Sequence, residues 1–190
     1  MIPVGYMAKK IAKRTDWPMA ENVIDIYSVS HCVSHDFADY INFWKHNGYW
    51  FFDTPNIIGQ LARENGIDLS GMKFFYYEVY ERQYDTEKDS WTEFQPEASF
   101  LTDVRVPSEK QLEGYDVVSF RVQTSPECSP LSCNNLPRVL VNSHCLLRSL
   151  DEAKSHLESG RFNDTCGEPG PFRIFAVFSL PDISPEEPKP

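Results

Sequence analysis

The stretch Phe74-Phe75-Tyr76-Tyr77-Glu78-Val79-Tyr80-Glu81-Arg82-Gln83-Tyr84 runs into a charged segment, Asp85 to Ser90, and then into Trp91-Thr92-Glu93-Phe94. Aromatic and β-branched side chains suit a pleated, half-buried surface, so the outer two segments read as strands and the charged one as the turn between them. A hairpin of this kind makes its strands antiparallel. Further along the chain, Tyr115 to Gln123 alternates and sets Val118, Phe120 and Val122 on one face. Phe172 to Leu180 reads as a buried strand, apolar on both faces apart from Arg173. Near the start, the β-branched run Val23 to Val29 reads as one more strand.

Three helices are expected beside these strands. Ser34 and Asp36 offer capping oxygens to a first, with Phe37, Tyr40, Ile41 and Trp44 on one face and Gly48 as its stop. A second is capped by Thr54, takes Pro55 at its first position, carries Ile57, Ile58 and Leu61, and ends at Gly66. Ser149 and Glu152 have capping-box spacing for a third that ends near Gly160. Strands grouped behind the first helices, without regular alternation, predict an α+β fold: a largely antiparallel sheet with helices packed against it. The 190 residues suit one globular domain over 1–180. Residues 181–190 hold four prolines and three acids and read as a disordered tail.

Thirteen Phe, nine Tyr and four Trp predict an aromatic core and an aromatic-walled pocket. The net charge is −10 although the first fourteen residues carry only Lys9, Lys10, Lys13 and Arg14, so the rest of the chain is more acidic still. Such a surface repels phosphate backbones, and no nucleic-acid partner is expected. No stretch approaches the roughly 20 apolar residues of a membrane span. Five cysteines behind an opening, Met1 to Tyr6, that lacks a basic leader suggest thiols in the cytoplasm rather than a disulfide framework.

Chemistry is most concentrated between Cys128 and Cys145, where Cys133, Asn134, Arg138, Asn142 and His144 share a loop rich in proline, serine and asparagine. A thiol nucleophile at Cys133 would need His144 as its base, with Asn134 or Asn142 orienting the imidazole or donating to an oxyanion, and with Arg138 nearby. Adjacent residues on an extended chain point apart, so His144 does not suit Cys145. A zinc site built from Cys128, Cys133, Cys166 and His144 or Cys145 lacks a second short-spaced ligand pair. Buried cysteines acting as small hydrophobes explain the same residues without chemistry. Elsewhere, His31, Cys32, His35 and Asp36 fit a capping turn, His46 fits a helix C-terminus, and Glu168 to Pro171 fits a turn. Glu78 and Glu81 differ in parity and face opposite sides of a strand.

Phosphate-binding glycine loops, dinucleotide fingerprints, nucleophile elbows and His-Glu-x-x-His are all missing, so neither cofactor nor metal is expected. The leading expectation is a non-catalytic binding or interaction protein for a small molecule or a basic protein. A cysteine-dependent hydrolase or transferase using Cys133 and His144 is the alternative, and a zinc-stabilised domain the second.

Overall fold

A computed structural model of the chain describes residues 1–13, 22–31, 35–37, 47–94, 103–120, 126–133, 139–163 and 170–181. In chain order its elements are β1 (Ile2–Lys10), β2 (Ala12–Lys13), β3 (Asp25–Ile26), β4 (His35–Asp36), α1 (Pro55–Asn65), β5 (Met72–Val79), β6 (Arg82–Asp85), β7 (Ser90–Glu93), β8 (Gln111–Ser119), α2 (Pro130–Cys133), α3 (Leu150–Glu158) and β9 (Phe172–Ser179). Seven strands form one sheet in the order β4-β1-β5-β9-β6-β7, with β8 also paired to β9; β2 and β3 pair separately. These pairings are antiparallel, and with three helices they make the α+β fold expected.

β9 is bonded along both edges, by β5 on one side and β8 on the other. Both of its faces are also covered, with Phe172 to Val177 all buried, and a strand covered on both faces is apolar at both parities. The aromatic run that opens on Phe74 breaks after Val79, where the Tyr80 amide turns to the Ile174 carbonyl at 2.8 Å and the chain resumes as β6. β6 then pairs with β7 from Arg82↔Glu93 to Asp85↔Ser90, the hairpin read from the sequence.

The hairpin turn sets up a pH effect. Tyr84 is buried and its hydroxyl donates to Asp89 Oδ1 at 2.5 Å. That bond, with burial second, pushes the phenol up to about 12. A phenol held neutral in the fold adds stability that is present below the ordinary tyrosine value of 10.0 and is lost as pH rises through about 12. Alkaline unfolding followed by circular dichroism is therefore expected in that window, and Tyr84→Phe is expected to lose less stability across it than the parent.

Register sorts the side chains onto two faces, because directly paired residues point the same way. Met7, Lys9, Phe75, Tyr77, Asp116, Val118, Arg173, Phe175 and Val177 share the first face. Segments 25–31, 47–52 and 126–132 cover it, as shown by Tyr27 against Phe75, Phe51 against Tyr77 and Phe175, and Ser129 bonded to Asp116. On the second face Val117, Phe172 and Ile174 join Ala153 and Leu157 of α3 in a smaller core. Ile58, Leu61 and Ala62 of α1 belong to the larger core, and this helix lies against β1.

Local signals placed two helices well. Pro55 opens α1, whose Thr54 cap is extended but makes no side-chain bond, and Gly66 closes it at φ 66. Ser149 Oγ accepts from Glu152 N at 3.1 Å, while Glu152 Oε2 reaches one residue further back than a capping box, to Arg148 N at 2.8 Å. The expected helix from Ser34 fails at its first turn, since His35 and Asp36 pair with Lys10 and Lys9 as β4; residues 38–46 lie outside the described residues. The expected strand from Val23 to Val29 shrinks to Asp25–Ile26, because backbone groups of residues 28–30 bond to the Lys9 and Asp116 side chains instead of to a ladder. The first half of the expected turn from Glu168 to Pro171, and all of the expected tail 181–190 but Pro181, lie outside the described residues.

β8 carries a bulge between Leu112 and Gly114, and Gly114 sits at φ 150. A Cβ there would stand 2.7 Å from both the Leu147 carbonyl oxygen and Leu146 Cβ. The close approach lets Tyr115 and Leu147 exchange two backbone bonds of 2.9 Å. Gly114→Ala is expected to destabilise the fold by about 1–3 kcal/mol through backbone strain, read as a lower urea midpoint at unchanged slope.

Candidate functional site

The loop singled out in the sequence is held to β8 at its start. Ser119 N donates to Cys128 O at 2.8 Å and Glu127 N donates to Ser119 O at 3.0 Å, after which Pro130–Cys133 forms the single turn α2. Cys128 and Cys145 are buried, and the Cys145 thiol donates to Leu131 O at 3.2 Å; Cys133 is partly exposed. Asn142 shapes the turn that follows. Its Oδ1 accepts from His144 N at 2.9 Å and Leu146 N at 3.1 Å, and its Nδ2 donates to Glu113 O at 2.7 Å.

With its amide so engaged, Asn142 orients backbone rather than an imidazole. The His144 ring stacks on Tyr27 with centroids 4.0 Å apart and planes 6° from parallel. Its Nε2 lies 3.7 Å from Glu113 Oε2, and its buried Nδ1 has no hydrogen-bond partner among the described residues. The imidazole thus faces Tyr27 and Glu113, and no hydrogen bond links it to Cys133. Asn134, Arg138 and Cys166 lie outside the described residues. Among the described residues no group of three or more His, Cys, Asp or Glu side chains is placed to hold a metal, and no described helix is long and apolar enough to cross a membrane.

The first face of the sheet buries three charges that were not read as a site. Lys9 is 1% exposed, and its Nζ donates to the carbonyls of Ser28, Val29 and Ser30 at 2.7, 3.0 and 3.2 Å. Asp116 is fully buried. Its Oδ2 accepts from Ser28 Oγ at 2.9 Å and Val29 N at 2.7 Å, and its Oδ1 from Ser129 Oγ at 2.5 Å. Burial raises its carboxyl above the usual range, while these donors and the Lys9 charge pull it back. Ser132 Oγ adds a bond to Ser28 Oγ at 3.0 Å. The result is a closed network: a cation seated on carbonyls, a carboxylate seated on donors, and two covering loops pinned to the sheet.

Arg173 is different. It is 2% exposed, yet no carboxylate pairs with it among the described residues. Its Nη2 donates to Gln83 Oε1 at 3.2 Å, whereas Nε and Nη1 are buried with no acceptor among the described residues. The guanidinium carbon sits 2.9 Å from the Phe94 ring centroid and 4.2 Å from that of Phe120. Phe120 stacks on Phe175 at 5.6 Å, and Tyr49 meets Phe94 edge-on at 5.6 Å. Burial pulls the guanidinium down to about 9, with Tyr49 opposing, so the group stays positive at neutral pH. Aromatic faces attract a cation, but they leave its in-plane N–H donors unsatisfied.

Sequence reasoning marked Arg173 as the exception in an apolar strand without assigning it a role. The available signal was that single charge at a parity shared with Phe175 and Val177. Asp116 gave the same signal, sharing its parity with Val118 and Phe120. Comparison of the chain with protein-family models, with curated proteins and with solved structures finds no match.

Proposed function

We propose that the protein is a non-catalytic binding protein for a small molecule, with its site at the aromatic wall around Arg173. The observation that carries this reading is a buried cation whose Nε and Nη1 donors have no partner, and which has no carboxylate beside it, among the described residues. Leaving such a group unpaired costs on the order of several kcal/mol, a cost that a site tolerates when a ligand completes it. Aromatic side chains with a few converging polar groups are the usual lining of a small-molecule site. Binding is favoured over thiol catalysis because His144 is engaged by Tyr27 and Glu113. The acidic balance of the chain argues against a nucleic-acid partner, and its thiols suit a reducing cytoplasm.

The test is thermal unfolding of the full chain against a panel of small neutral aromatics, carboxylates and phosphates. At least one class is expected to raise the midpoint in a saturable, concentration-dependent way. A panel that leaves the midpoint unmoved throughout, together with fast alkylation of Cys133 by iodoacetamide at neutral pH, contradicts the proposal and favours the thiol enzyme.

A further inference from the structure

Resting on that binding role, we infer that the ligand is an organic monocarboxylate with an apolar, preferably aromatic, body, and that its carboxylate docks in plane on the Arg173 guanidinium. The guanidinium carbon sits over the rings of Phe94 and Phe120, which leaves its in-plane N–H edges as the approach for an anion. Nε and Nη1 supply the unpaired donors there, and Nη2 is already steadied by Gln83. A carboxylate is planar and accepts two parallel N–H bonds, which matches such an edge.

Charge decides between carboxylate and phosphate. Arg173 brings one positive charge, and the other buried cation among the described residues, Lys9, already donates to three carbonyls and neighbours Asp116. One buried positive charge is neutralised by a monoanion; a phosphate dianion would leave a negative charge in an apolar wall. The surroundings then fix the body of the ligand. Phe120, Phe175 and Tyr49 surround this wall and are themselves buried, so a ligand ring packs offset or edge-on against them once the wall opens. Because Nε and Nη1 are shut off from solvent, the wall must open before the ligand enters, and association falls below the usual 10⁵–10⁷ M⁻¹s⁻¹ range.

Isothermal titration of the full chain with benzoate, benzamide, phenyl phosphate and inorganic phosphate tests this. Benzoate is expected to bind, and benzamide, which keeps the ring and loses the charge, at least about tenfold more weakly. Arg173→Met is expected to abolish the preference for benzoate over benzamide, and Arg173→Lys, which keeps the charge and loses the fork, to weaken benzoate about tenfold. Equal affinity for benzoate and benzamide in the parent, or a preference for either phosphate, overturns the carboxylate inference while the binding role stands. Failure of all four probes in a parent that also responds to no small molecule in the thermal panel overturns both. The parent's ranking of the probes decides the matter even if the Arg173 variants do not fold.

Discussion

Asp116→Ala is expected to lower the unfolding free energy by about 3–5 kcal/mol, the range for removing one member of a buried charged network. The carboxylate holds the Val29 amide and the hydroxyls of Ser28 and Ser129 at 2.5–2.9 Å, and all of these are buried. Its loss leaves three donors unsatisfied and removes a buried negative charge that interacts with Lys9. It also loosens the two covering segments, since Ser28, Val29 and Ser129 meet the sheet through this group. Asp116→Asn keeps an acceptor for Val29 and a donor for the Ser129 hydroxyl, so roughly half that loss is expected of it. Urea unfolding measures both. An alanine variant within about 0.5 kcal/mol of the parent, the range of ordinary surface changes, would mean that the network does not hold the loops.

Arg173→Met is expected to move stability the other way. A buried charge with no ionic partner raises the energy of the fold, and Met fills a similar volume with polarisable, flexible atoms. Replacing buried ionic groups by apolar ones has given gains of about 1–4 kcal/mol, and for a chain of this size each kcal/mol corresponds to about 2–4 °C in Tm. The variant is therefore expected to melt several degrees higher and to lose discrimination for a carboxylate ligand. Together the two effects would mark a residue kept for binding at the expense of the fold. A lower Tm would instead make Arg173 a structural cation, stabilised sufficiently by Phe94, Phe120 and Gln83.

What was legible in the sequence follows from the range of each interaction. The hairpin from Arg82 to Glu93, α1 between Thr54 and Gly66, and α3 after Ser149 are written in residues a few positions apart, and all three form. β9 was legible because its composition reports burial on both faces. The segment from Val23 to Val29 was misread because its backbone is satisfied by Lys9 and Asp116, far away in sequence, which a β-propensity argument does not contain. The same limit applies to the candidate site. Spacing brought Cys133 and His144 within eleven positions, but the direction of the imidazole is set by Tyr27 and by Glu113 on β8. Lone inward charges at Asp116 and Arg173 were visible as breaks in apolar parity. Their roles needed the fold, which seats one on donors and leaves the other without an acceptor.

The pairing we propose is between Arg173, buried with no carboxylate beside it among the described residues, and a ligand carboxylate. Its most direct measurement is the side-chain Nε–H resonance of Arg173 in a ¹H–¹⁵N correlation spectrum of the full chain, assigned by its loss in Arg173→Met. Without ligand, a single slowly exchanging signal is expected, protected by burial. On titration with benzoate it is expected to move downfield in proton shift and to saturate, while benzamide and inorganic phosphate leave it in place. A resonance that benzoate does not move, in a protein whose unfolding midpoint benzoate also leaves unchanged, contradicts the account.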